Sequence, residues 1–132
     1  MVFGTFDILH KGHEYLLKTA KSQGDELYIT LARDKTVLEL KGQPPKFNEK
    51  IRAKNLTTKY KFIKKVVLGN ITDKYKTLEK VKPDIICLGY DQTFFVDNLE
   101  KELKKRKIKA KIIRLKPYKP ELYKSSKFRK IN

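Results

Sequence analysis

One cysteine, two histidines and no apolar run of membrane-spanning length occur among the 132 residues, and each shortage removes a class of protein. Cys87, inside the run "IICLG", has no second cysteine for an intramolecular disulfide and is expected as a buried strand thiol. So few cysteines and histidines also give no cluster with metal-ligand spacing. The chain has no 18 consecutive apolar residues and no basic segment leading into a long apolar one at its start. Neither a membrane span nor a secretory signal is therefore expected, and the simplest location is cytoplasmic. Two nucleotide fingerprints are missing as well, G-x-x-x-x-G-K-[ST] and G-x-G-x-x-G. Acidic residues are scarce beside basic ones, 15 against 32, which leaves a net charge of +17.

That charge attracts anions, whether nucleic acid, an anionic membrane or phosphorylated small molecules. The lysines are spread along the whole length, a distribution that equally suits a solvated surface, so charge alone selects no partner. The length fits a single domain, residues 1–132, able to bury roughly two thirds of its unfolded surface. Apolar runs such as "LYITLA" (27–32) and "DIICLGY" (84–90) exclude global disorder.

Short apolar strands alternate with helical patterns, which predicts βαβ units and an α/β fold built on a parallel sheet. The expected strands are 1–5, 26–32, 64–68, 84–89 and 110–115. Between them, "HEYLLKTAKSQG" puts Leu16, Leu17 and Ala20 on one helical face and ends in Gly24. Weaker helical patterns cover 48–58 and "DKYKTLEKV" (73–81), and "VDNLEKELKKRK" (96–107) carries Val96, Leu99 and Leu103 on one stripe. "GQPPKF" (42–47) and "KPYKPELYK" (116–124) are proline-bearing loops. In open parallel sheets ligands bind beyond the carboxyl ends of the strands, so these loops and the opening turn are where a site is sought.

The opening turn holds both histidines, in "GTFDILHKGH" (4–13). A strand leads into Gly4, Thr5 and Phe6, and a helix is expected from Gly12 or His13. Backbone amides at such a helix start attract anions, and a glycine at position 12 lets a phosphate approach the main chain. His10 and His13 add directional donors that can stabilise charge as it builds on a phosphate oxygen.

The stretch resembles the signature of the cytidylyltransferase-like nucleotidyltransferases, whose hallmark is H-x-G-H directly after the first strand. It matches through Gly4, Thr5, Phe6, Asp7, His10, Gly12 and His13. "GDELYITLARDKTV" (24–37) and "KPDIICLGYDQ" (82–92) resemble later blocks of that family, and within it the archaeal FAD synthetases are most similar. The resemblance implies a single Rossmann-like domain, a five-stranded parallel sheet flanked by helices. It also implies transfer of AMP from ATP to FMN by direct in-line attack, with Mg²⁺ bridging substrate phosphates and no covalent intermediate.

By the same resemblance His10 and His13 contact the triphosphate, Gly4, Thr5 and Phe6 line the nucleotide, Lys11 and Gly12 complete the turn, and Asp7 braces the loop. Lys41 and Arg52 match phosphate-neutralising positions, Asp91 reads the nucleoside, Tyr118 packs near the base, and Ser125 and Ser126 open a last helix that touches the outer phosphates. The stretch "PELYKSS" lacks the Arg-Thr-Glu-Gly of the bacterial glycerol-phosphate enzymes. Two alternatives stay open: a cytidylyltransferase using CTP with glycerol 3-phosphate or another phosphoalcohol or sugar phosphate, and a basic nucleic-acid-binding module without the reaction. Family members are commonly dimers, and "FIKKVVLG" (62–69) is the expected partner surface.

Overall fold

The computed structural model describes residues 1–90, 92 and 98–116. Strand and helix alternate along it: β1 (Val2–Gly4), α1 (Lys11–Lys21), β2 (Leu27–Leu31), α2 (Asp34–Lys41), α3 (Glu49–Lys59), β3 (Ile63–Leu68), α4 (Lys76–Val81), β4 (Ile85–Leu88), α5 (Leu99–Lys105) and β5 (Lys111–Arg114). The five strands form one all-parallel sheet in the order β3-β2-β1-β4-β5, as the alternation predicted.

Period-two alternation sends the strand side chains into two cores, because both faces of the sheet are covered. Met1 and Phe3 pack with Leu78, Ile86, Leu88, Leu99 and Leu103, beneath α4 and α5. Val2 points the other way and joins Leu17, Ile29, Leu56 and Cys87, beneath α1 and α3. Cys87 is therefore a buried strand thiol. From β1 the strand order runs outward in both directions, so the crevice beyond β1 and β4 is the topological switch point at which such sheets bind ligands.

Helix α3 follows its expected span and opens on Asn48, whose side chain accepts from the Ile51 amide at 2.9 Å. Helix α2 was not foreseen from the sequence. Only Val37 on it is buried while Leu38 and Leu40 stay exposed, so it carries no apolar stripe. Its limits come from polar groups instead. Glu49 Oε1 accepts from the Asp34 amide at 2.9 Å, and Gly42 ends the helix at φ 75°, in the left-handed region open to glycine. Helices α4 and α5 are shorter than their patterns. Arg106 ties them together through Asp73, Glu79 and Glu102. The 62–69 segment becomes the edge strand β3, with Lys64 and Lys65 exposed on it.

Candidate active site

The turn between β1 and α1 is tight for identifiable reasons. A Cβ on Gly4 would lie 2.7 Å from Cε2 of Phe6, so position 4 admits no side chain while that ring stays in place. Phe6 itself has φ 49°, a strained setting for a non-glycine residue. Burial of its ring, 3% exposed, holds it there. The ring meets His13 edge-on at 5.3 Å between centroids, and His13 stacks on His10 at 3.8 Å with 28° between planes. Gly4, Phe6, His13 and His10 thus form one column of contacts at the carboxyl end of the central strand.

His10 also starts the helix. Its extended backbone (φ −145°, ψ 178°) and its Nδ1, which accepts from the Gly12 amide at 3.0 Å, make it the N-cap of α1. Because Nδ1 is an acceptor, the neutral ring carries its proton on Nε2. The His10 pKa is lowered by burial and then by the Lys59 charge. That of His13 falls to about 3, first through burial and then through the charges of His10, Lys41 and Lys59; only a hydrogen bond to the Ile8 backbone opposes the fall. Both imidazoles are therefore neutral at pH 7.

Two further residues of the signature act as braces. Asp7, 7% exposed, accepts from the amides of Lys46 (2.7 Å) and Phe47 (2.9 Å), and so pins the proline-bearing loop beside the turn. Arg52 departs from the expected open phosphate fork. It is fully buried and donates to the Thr5 carbonyl (2.8 Å), the Phe47 carbonyl (2.9 Å) and Asp34 Oδ1 (2.7 Å). Glu49 completes the brace by accepting from Arg33 Nε at 2.7 Å. The guanidinium holds the turn's main chain in place.

Of the sequence-derived site, the structure gathers Gly4, Thr5, Phe6, His10, Lys11, Gly12 and His13 in one turn, with Arg52 behind it. Lys11 is exposed as the first residue of α1, and Lys41 is exposed as the last residue of α2, where its charge acts on His13. Asp91, Tyr118, Ser125 and Ser126 lie outside the described residues.

Other contributors escaped the sequence reading. Lys59 lies some fifty residues from the histidines along the chain, yet its charge bears on both. Gln92 donates to the Phe3 carbonyl at 3.0 Å and accepts from the Gly89 amide at 3.1 Å, stapling the turn after β4 to β1. Arg114 Nη1 donates to the carbonyls of Gly89 (2.8 Å) and Gln92 (2.9 Å). Gln92 was in view as the end of "LGYDQ"; for Arg114 the one signal was the scarcity of arginine in a lysine-rich chain.

The site can therefore present backbone amides, two neutral imidazoles and nearby lysine charges to one anion. Among the described residues, no group of three or more His, Cys, Asp or Glu could hold a metal ion, and no helix is long and apolar enough to cross a membrane.

Comparison with known proteins agrees with this geometry. The family model described as cytidylyltransferase-like matches residues 1–131. A protein named FAD synthase from Aciduliprofundum boonei is 49% identical over 118 residues, which is 89% of this chain and 78% of that protein. The FAD synthase of Thermoplasma volcanium is 43% identical over 130 residues, covering 98% and 90%. A solved structure described as a lipopolysaccharide core biosynthesis protein, also from Thermoplasma volcanium, superposes with a TM-score of 0.82 at 42% identity, over 89% of this chain and 95% of that one.

Proposed function

The chain belongs to the cytidylyltransferase-like family and is a nucleotidyltransferase, and from that premise we propose that it joins ATP and FMN into FAD and pyrophosphate. The observation that carries the chemistry is the stacked His10–His13 pair on a helix-opening turn. The choice of substrates rests on the similar proteins named FAD synthase.

In this reaction an oxygen of the FMN phosphate attacks the α-phosphorus of ATP, a new P–O bond forms, and the bond to the β-phosphate breaks as pyrophosphate leaves. No protein nucleophile is required, so the protein aligns the two phosphates and offsets charge. His10 donates from Nε2 to an oxygen of the triphosphate. His13 shares a ring N–H with the Ile8 backbone, and takes up a proton from solvent to donate a second one; the negative triphosphate favours that uptake. Lys41 and Lys59 add positive potential and Arg52 fixes the Thr5 carbonyl; by the family resemblance Asp91, Tyr118, Ser125 and Ser126 contact the nucleotide.

Among the described residues the donor set has no carboxylate cage, which fits a divalent ion carried in by the triphosphate rather than one resident in the protein. When bound, Mg²⁺ would lower the charge of the phosphate oxygens that attack and leave.

A cytidylyl transfer to a phosphoalcohol or sugar phosphate would use the same turn. Pyrophosphate release is the deciding measurement, with ATP or CTP crossed against FMN and glycerol 3-phosphate. ATP with FMN is expected to give the signal and a product with the mass of FAD; release only from CTP with glycerol 3-phosphate would sink the proposal.

A further inference from the structure

Folding gathers part of the positive charge onto one face. Between Lys101 and Lys111 seven of eleven residues are basic, against 32 of 132 in the whole chain. Helix α5 places Leu99 and Leu103 in the core and leaves Lys101, Lys104 and Lys105 exposed. In the segment that leads into β5, Ile108, Ala110 and Ile112 pack against that core. Period-two alternation therefore turns Lys109 and Lys111 outward, beside the exposed Lys107. Lys82, exposed at the end of α4, joins them, because the Lys111 amide donates to the Asp84 carbonyl at 2.9 Å and sets the two segments side by side.

The neighbouring carboxylates that could neutralise these lysines are engaged elsewhere. Arg106, its side chain 12% exposed, pairs with Asp73 at 2.8 Å, with Glu79 at 3.0 Å and with Glu102, and Lys76 takes the other oxygen of Glu79 at 3.4 Å. Asp84 and Glu100 are left exposed beside seven lysines, and among the described residues none of those lysines forms an ion pair. The substrates cannot account for this charge. All five strands are parallel, so their amino ends form the edge of the sheet opposite the histidine turn. Lys82, Lys107 and Lys109 lie at that edge, and Lys104 and Lys105 occupy the last turn of α5, which returns to it. Even a four-residue strand spans about 13 Å, too far for these side chains to ligate phosphates at the turn.

Charge gathered away from the substrates is complementary to an extended anion. Single-stranded nucleic acid is gripped by aromatic side chains on which its bases stack, and no aromatic residue occurs in 79–84 or 98–111. An anionic bilayer asks only for several mobile cations on one broad face. We infer that this face adsorbs to an anionic lipid surface and leaves the histidine turn, on the opposite edge, open to its substrates. None of the large apolar side chains that stand exposed, Leu38, Leu40, Ile51 and Ile71, belongs to this face, so the protein lies on the bilayer without inserting. The lysine stems let their ammonium groups reach the lipid phosphates, and salt releases the protein.

The test is co-sedimentation of the full chain, in about 0.1 M salt, with vesicles of phosphatidylcholine alone or with about one third phosphatidylglycerol. Binding is expected to the anionic vesicles and not to the neutral ones. The paired substitution Lys105→Glu with Lys109→Glu should weaken it by about tenfold or more, and the same charge change at Lys18 and Lys54 by no more than about threefold. Lys18 and Lys54 are exposed on α1 and α3, across the sheet, and both pairs should melt with the parent. No sedimentation with anionic vesicles overturns the inference. Equal loss from the two pairs also overturns it, since net charge rather than this face would then be responsible. A duplex RNA that displaces the parent from the vesicles, and binds the Lys105/Lys109 pair more weakly, would assign the face to nucleic acid instead.

Discussion

At the scale of single residues, His10 and His13 divide the work through their hydrogen bonds. His10 commits Nδ1 to the Gly12 amide and so keeps its proton on Nε2 at neutral pH. His13, with a pKa near 3 and an N–H shared with the Ile8 backbone, gains a second donor only by taking up a proton. The imidazole NMR signals of His13 should therefore move little between pH 8 and 5 in the ligand-free protein, and its pKa should rise once a triphosphate is bound. Calorimetry in buffers of different ionisation enthalpy should record proton uptake on ATP binding; zero uptake, with the His13 signal still titrating near 3, would remove this role. Stability follows with a definite sign. A histidine whose pKa is lowered by folding binds fewer protons when folded than when unfolded, so its contribution is complete above about 6.5 and is lost as the pH falls from there toward 3. His13→Gln should flatten that part of a melting-temperature curve. It should also slow turnover by about 10²–10³-fold, the cost of one lost oxyanion donor.

At the scale of elements, the turns that bear the site are held by side chains remote in sequence, and this divides what could be read in advance from what could not. The five strands and α1 were legible because their apolar spacing is a local property of the chain, and the histidine turn was legible because its residues are contiguous. Helix α2 was not, since its ends are set by Glu49 and Gly42 rather than by an apolar stripe. The place of Arg52 was hidden for a related reason. Thr5 and Asp34 lie 47 and 18 residues from it, so nothing near Arg52 marks it as a buried brace. Arg114 is the element-scale counterpart on the other side of β1, an exposed guanidinium at the end of β5 that gathers the carbonyls of the turn after β4. Arg114→Ala removes no core contact and should change unfolding free energy by less than about 1 kcal/mol. Loosening the turn should nonetheless raise KM for ATP by about tenfold, as expected when hydrogen bonds from a charged donor are lost, while KM for FMN stays near the parent's. An unaltered KM for ATP would show that the turn keeps its shape without Arg114.

At the scale of the whole molecule, a net charge of +17 bears on how substrates arrive more than on how the fold is held. Both substrates of the proposed reaction are anions, and the charges that add to burial in lowering the histidine pKa values, Lys59 for both and Lys41 for His13, stand on exposed side chains open to solvent. Such steering acts on encounter and is screened as the Debye length shrinks from about 30 Å at 0.01 M salt to about 3 Å at 1 M. In the proposed reaction the chemical step takes place between phosphates already bound against the turn, where screening is weaker. With kinetics followed at fixed Mg²⁺ over that range, kcat/KM should fall by about tenfold or more, while kcat changes far less. A parallel fall in kcat would move the salt effect from encounter into the bound state and would mean that the lysines act on the reacting phosphates directly. The same titration separates an enzyme from a nucleic-acid binder of equal charge. Nonspecific polymer binding weakens with a logarithmic slope of about 0.9 for each phosphate neutralised, and a polymer bound over this surface would inhibit at low salt and release the enzyme as salt rises. Activity that instead falls smoothly from the lowest salt, with added RNA making no difference, is the outcome expected of a surface whose charge serves two small phosphorylated substrates.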